Sequence, residues 1–187
     1  LGFFFMFGNL NPWIELFIGI AFTVPIMILY FHAGGEEGAR EFKRLNGITV
    51  EQAKTGCKKA PNPFKGIIYV LPYLLLSLLM SALCWAVDNQ IFKVFLLVVF
   101  MPAAILGQAP GLIVYPQEVV YDKGLETAYT VIEGTTSGLN VFIVVAVFAI
   151  IACMVFMIAY IRKIRQSKET FNSFMTEIVM NDKFRNK

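Results

Sequence analysis

The sequence predicts an all-α integral membrane protein. Three observations carry that prediction: 57% of its 187 residues are hydrophobic, charges are held to 16%, and the charges cluster between long apolar runs. Soluble domains average about 45–50% apolar and about 25% charged residues, so water is not the main solvent of this chain. A mean hydropathy of +0.66 agrees. Lipid offers backbone groups no partners, so uninterrupted apolar runs must close their hydrogen bonds internally as helices, whereas barrel strands would alternate. The chain reads as a single polytopic membrane domain over residues 1–187. Its four hydrophobic segments lie at about 12–32, 66–87, 94–115 and 139–161, with polar segments at 33–65 and 116–138 and an amphipathic tail at 162–187.

Residues 1–10 are apolar and aromatic but too few to span alone, and are expected at the interface or against a partner. Asn11, Pro12 and Trp13 then form a helix start: an N-cap, a proline at the first helical position, and an indole suited to the headgroup level. The first span is expected from Pro12 to His32. Glu15 falls in its first turn, where the positive end of the helix dipole favours a carboxylate; deeper in the membrane it would be an ion or proton site. Pro25 predicts a kink.

Gly34, Gly35 and Gly38 surround Glu36 and Glu37 and predict a structured surface loop. No Gly-Lys-Ser/Thr follows that would make it a phosphate-cradling loop. Two short loop helices are expected between Arg40 and Cys57, split at the stop residues Asn46 and Gly47. The second would be opened by a Thr49/Gln52 capping box with an Ile48/Ala53 staple.

The second span, Gly66 to Val87, holds Pro72 and the pair Ser77 and Ser81. Four residues apart, these two serines share a helical face and permit close helix packing; the alternative is that they line a pore. A turn at Asp88, Asn89 and Gln90 leads into the third run. At about 22 residues and about 1.5 Å per residue this run is long enough to cross a bilayer core of about 30 Å. Pro102 and Pro110, with Gly107 and Gly111 nearby, interrupt its ladder, so it is kinked or re-entrant. The carbonyls so freed require that residues 101–111 be shielded by protein, with Gln108 directed toward that protein.

Residues 116–138 carry Glu118, Asp122, Glu126 and Glu133 against Lys123, and their tyrosines suggest folding onto the membrane face. The fourth span, Leu139 to Ile161, contains neither proline nor glycine and ends at Arg162, Lys163 and Arg165. After it Phe171, Phe174 and Ile178 recur at helical spacing, which predicts an amphipathic C-terminal helix lying on the membrane or docked on a partner.

Of 16 basic residues, seven lie from Arg40 to Lys65 and seven from Arg162 to Lys187. The positive-inside rule places both groups on one side. Three full crossings between them would separate them, whereas re-entry of the third run would not. Length and apolarity favour the crossing; the charges and prolines favour re-entry.

Cys57, Cys84 and Cys153 form no Cys-x-x-Cys, and the single histidine, His32, leaves no pair for a bis-histidine haem. No catalytic residues, cofactor or metal site are expected, and the chain is not read as an enzyme. The expected function is a structural or assembly subunit of a larger multi-subunit membrane complex. The alternative is a small channel or transporter using the broken third helix. Glu15, Gln108, Ser77 and Ser81 are the polar intramembrane contacts in either case. The expected partners are the lipid bilayer and other membrane-protein subunits, without nucleic acid. The sequence names no compartment, and Leu1 in place of methionine fits a processed or an incomplete start.

Overall fold

A computed structural model describes residues 11–46, 61–87, 89–114, 117–121, 129–133 and 136–185. The aromatic segment 1–10 and the helix expected over 49–57 lie outside the described residues. The chain is a helical membrane protein. Its helices α1 (Pro12–Asn46), α2 (Gly66–Val87) and α5 (Gly138–Arg185) are long and apolar enough to cross a membrane, and the bent pair α3 (Gln90–Val99) and α4 (Met101–Gln108) supplies the fourth apolar segment.

The start of α1 follows its sequence. Asn11 Oδ1 accepts from the Trp13 amide at 3.1 Å, and the Asn11 carbonyl accepts from Ile14 at 2.8 Å. Its end does not. The expected loop at Gly34–Gly38 is helix, continuous with the span through Pro25 and on to Asn46. The first apolar segment therefore extends beyond His32 into a charged helical extension, and the split expected at Asn46 and Gly47 falls at the edge of the described residues. There Asn46 Nδ2 donates to the Phe42 carbonyl at 3.1 Å.

Asn62 caps a short 3-10 turn, Pro63–Lys65, that delivers the chain into α2, whose bounds match the expected span. One face of α2 is small and buried, with Val70, Ser77, Ser81 and Cys84; Leu75, Leu76, Leu79 and Leu83 on the other faces are exposed, as lipid-facing side chains would be.

The third segment begins earlier than expected, at Gln90, where Asn89 Oδ1 accepts from Ile91 at 2.9 Å and Phe92 at 3.3 Å. Its ladder breaks at Phe100 (φ −102°, ψ 39°), two residues before Pro102. Pro102 has no amide to donate to the Val98 carbonyl, and a proline is tolerated in the first turn of a helix, so it sits at the start of α4 and the break falls upstream. The axes of α3 and α4 differ by 103°. At about 1.5 Å per residue the two helices measure about 15 Å and about 12 Å, and at that angle their far ends stand about 17 Å apart. A bilayer core is about 30 Å. Past α4 the chain turns back: Gly111 adopts φ +73°, and the amides of Leu112 and Ile113 both donate to the Gly107 carbonyl, at 2.9 and 3.0 Å. End to end, α3 and α4 are thus shorter than a bilayer core is thick.

Between the third segment and α5, the polar stretch holds an element absent from the expectation. Strands β1 (Gln117–Tyr121) and β2 (Tyr129–Glu133) pair antiparallel, with Val119 opposite Val131 and Tyr121 opposite Tyr129. Their β-branched and aromatic residues suit a strand pair. Finally, α5 runs 48 residues without interruption, so the tail is not a separate helix but a continuation of the last span.

The chain divides into two compact units, Leu1–Ile26 with Tyr73–Ile150 and Met27–Pro72 with Ile151–Lys187.

Candidate functional site

In the first unit the polar intramembrane residues named from sequence are all buried. Glu15 is buried in the first turn of α1, and Ser77 and Ser81 lie on the inner face of α2. Ser81 Oγ donates to the Leu78 carbonyl at 3.1 Å, which satisfies the hydroxyl within its own helix and leaves the serines acting as small packing residues. No ion pair involving Glu15 occurs among the described residues.

Gln108 sits at the end of α4, where six of eight residues are buried, including Pro102, Ala103, Ala104 and Ile105. The expected shielding holds from Pro102 to Gln108 and lapses at Pro110 and Gly111, which are exposed. Gln108 is 9% exposed, and its Oε1 has no hydrogen-bond partner among the described residues. The amide is turned from lipid as expected, but its acceptor is not spent on a neighbouring helix. A buried amide oxygen without a donor is costly, on the order of 1–3 kcal/mol.

Close packing holds α4 in place. A Cβ on Gly19 of α1 would stand 2.8 Å from Leu106 Cδ2, and one on Gly107 would stand 2.8 Å from Ile113 Cγ1 and 2.9 Å from Val144 Cγ2 of α5. The Thr136 hydroxyl, also buried, accepts from the Val114 amide at 3.0 Å and donates to the Val114 carbonyl. This clamp fixes the exit of the broken segment beside the start of α5. Lys93 is buried in the first turn of α3.

The second unit is built on glycine. Gly34 and Gly38 of α1 lie against the backbone of α5: a Cβ on Gly34 would overlap the Phe156 carbonyl, and one on Gly38 would stand 2.7 Å from the Tyr160 carbonyl oxygen. This is a small-xxx-small seam, whose spacing is present in the sequence at Gly34 and Gly38. It was legible there, but Glu36 and Glu37 made the stretch read as a loop. Tyr160, fully buried, is flanked by Gly38 on one side and by Gly66 on the other, where a Cβ would stand 2.7 Å from Tyr160 Cδ1.

Charged side chains close the seam. Glu41, 4% exposed, accepts from Lys65 Nζ at 2.7 Å and from Arg44 at 3.0 Å. Its burial opposes the charge, yet the hydrogen bonds and charges of Lys65 and Arg44 outweigh that and hold the carboxyl below its ordinary value. Arg40 pairs with Glu37 at 2.7 Å and with Glu36 at 3.6 Å, and Glu36 Oε1 lies 3.3 Å from His32 Nδ1. Farther out, Phe171 meets Phe42 edge-on at 5.9 Å, whereas Phe174 is 44% exposed; the side chain of Ile178, third member of the expected stripe, lies outside the described residues. Among the described residues no three His, Cys, Asp or Glu side chains converge as metal ligands would.

No protein-family model matches the chain, and no curated protein or solved structure is similar to it.

Proposed function

We propose that this protein is a structural or assembly subunit of a larger membrane complex, built from three crossing helices and one re-entrant segment. The supporting observation is the arm of α5 beyond Ile164. From Arg165 to Glu177 no side chain is buried, and Phe174 faces outward. Helix stability in proteins comes mostly from packing of an amphipathic face, and among the described residues of this arm Phe171 alone meets a ring of α1, at Phe42. An arm of that kind, continuous with a membrane span, is stabilised by a neighbour that covers it. Because the arm continues α5 without a break, it leads away from the bilayer and does not lie along it, so another subunit is the neighbour it fits.

The short reach of α3 and α4 supports the topology. If the third segment returns to the side it entered from, the basic residues of 40–65 and those of 162–187 share one side, as the positive-inside rule requires. Protease sites inserted at Lys58 and Lys187 should then be cut from the same face of sealed vesicles; cutting from opposite faces means the segment crosses. For the assembly role, the full chain is purified in mild detergent and its mass measured. A stoichiometric assembly with other chains, lost on deletion of residues 167–187, is expected. A lone homo-oligomer indifferent to that deletion would overturn the subunit role.

The unpartnered Gln108 Oε1 favours a second reading, a small channel or transporter in which α4 ends at a solute path. Reconstituted Gln108→Leu protein separates the two. Altered flux with intact assembly supports the path, and weakened assembly supports the subunit.

A further inference from the structure

We infer that the groove between α1 and α5 at residues 28–39 and 159–166 is a binding site for the headgroup of an anionic phospholipid. The groove encloses about 440 Å³, within the range of about 300–1,000 Å³ typical of ligand sites. Its composition changes along its length. Ile28, Phe31 and Ala159 make an apolar end; Arg162, Lys163 and Gln166 make a polar one. This change occurs where the apolar run of α5 gives way to its basic stop, the level at which a membrane presents phosphates.

The charge balance selects an anion. Arg162 and Lys163 are exposed, and neither has a carboxylate at ion-pair distance among the described residues. The groove's one carboxylate, Glu36, is engaged by His32 and Arg40. Guanidinium and ammonium groups left without a counter-ion beside an apolar channel match a phosphate joined to acyl chains, the chains lying along Ile28 and Phe31. Gly35 keeps the groove open. A Cβ there would meet nothing within 4 Å, in contrast to Gly34 and Gly38 on the packed side of the same turns. The seam therefore needs two of the three glycines, and the third borders the groove.

Lipid binding is measured on the full chain in nonionic detergent by native mass spectrometry. The probes are dioleoyl phosphatidylglycerol, dioleoyl phosphatidylcholine and inorganic phosphate. Each basic residue near a membrane surface contributes roughly fivefold, so the wild type should prefer the anionic lipid by roughly 30-fold, and Arg162→Gln with Lys163→Gln should abolish that preference. Lys43→Gln with Lys168→Gln removes the same charge outside the groove lining and should retain it. Gly35→Leu fills open space without touching the seam, so the protein stays folded, and retention of both lipids should fall. Equal retention of the two lipids by the wild type would overturn the proposal, as would a double Arg162/Lys163 variant that keeps the preference. Displacement of bound lipid by inorganic phosphate at equal affinity would mean that a free anion is the ligand, and would overturn it too.

Discussion

Two stretches of this chain carry glycine where a membrane helix usually carries bulk, and they behave in opposite ways. Gly34, Gly35 and Gly38, set among acidic residues, resemble a loop but lie inside an unbroken helix. The stretch from Phe100 to Gly111, uncharged and apolar, resembles a span but breaks and turns back. Glycine alone does not end a helix. It weakens one by about 1 kcal/mol per residue, and that loss is offset when the missing side chain lets another backbone approach, as α5 does at Phe156 and Tyr160. Proline removes a donor and crowds the preceding turn, a defect of about 3 kcal/mol in a helix interior, which α1 nonetheless tolerates at Pro25 and α2 at Pro72. The polar stretch stays helical because its glycines pack against α5; the apolar stretch breaks at Phe100, directly ahead of a helix with proline in its first turn.

Substitutions that test this contrast fall in a definite order. The largest effect is expected from Gly34→Ala, whose new methyl would overlap backbone that cannot swing aside. Loss of about 3 kcal/mol or more is expected, read as a lowered melting temperature in detergent or as failure to fold. A Gly34→Ala protein as stable as the wild type would remove the seam from the account.

Next comes Lys65→Met, which leaves Glu41 buried with Arg44 alone. A loss of about 2 kcal/mol is expected near neutral pH. The folded carboxyl is held below its ordinary 4.5, so its contribution is complete above that value and disappears as pH falls through the lowered one. Melting curves of the wild type in acid should therefore converge on those of Lys65→Met. Curves that stay parallel down to low pH would show the pair contributes nothing.

Gly107→Ala should cost less, about 1–2 kcal/mol, because the obstructing atoms belong to the side chains of Ile113 and Val144, which can shift. Were it as damaging as Gly34→Ala, the two regions would be equally rigid and the contrast between them would fail. The smallest effect has the opposite sign. Gly35→Ala faces open space inside a helix and should raise stability by about 0.5–1 kcal/mol, a gain lost if the stretch were a loop.

What was legible in the sequence was mainly local. Asn11, Pro12 and Trp13 announce a helix start because the cap is made within two residues. The bounds of α2 follow from apolar length, and the break near Pro102 follows from a missing amide. The buried face of Ser77 and Ser81 follows from a spacing of four. The hairpin of Gln117–Tyr121 with Tyr129–Glu133 was missed, since Val119, Val120 and Tyr121 are too short a run to outweigh the charges around them. Burial of Gln108 was foreseen, but the lack of a partner for its Oε1 was not, because no spacing encodes an absent donor.

The sequence by itself determined that this is a helical membrane protein, where its apolar segments lie, how its helices are capped, and which run must break. Each of these depends on hydrogen bonds closed within about four residues and on the side chains' preference for lipid or water. Only the tertiary structure decided that Gly34–Gly38 is helix, that the third run bends by 103°, and that Glu41 is held by Lys65. Those outcomes turn on atoms brought from distant parts of the chain: a carbonyl of α5 in the space a Cβ would fill, a threonine of the α5 entry clamping Val114, an ammonium at the mouth of α2 facing a carboxylate on α1. A helix of marginal local stability takes the form its neighbours allow, and the neighbours are not adjacent in sequence.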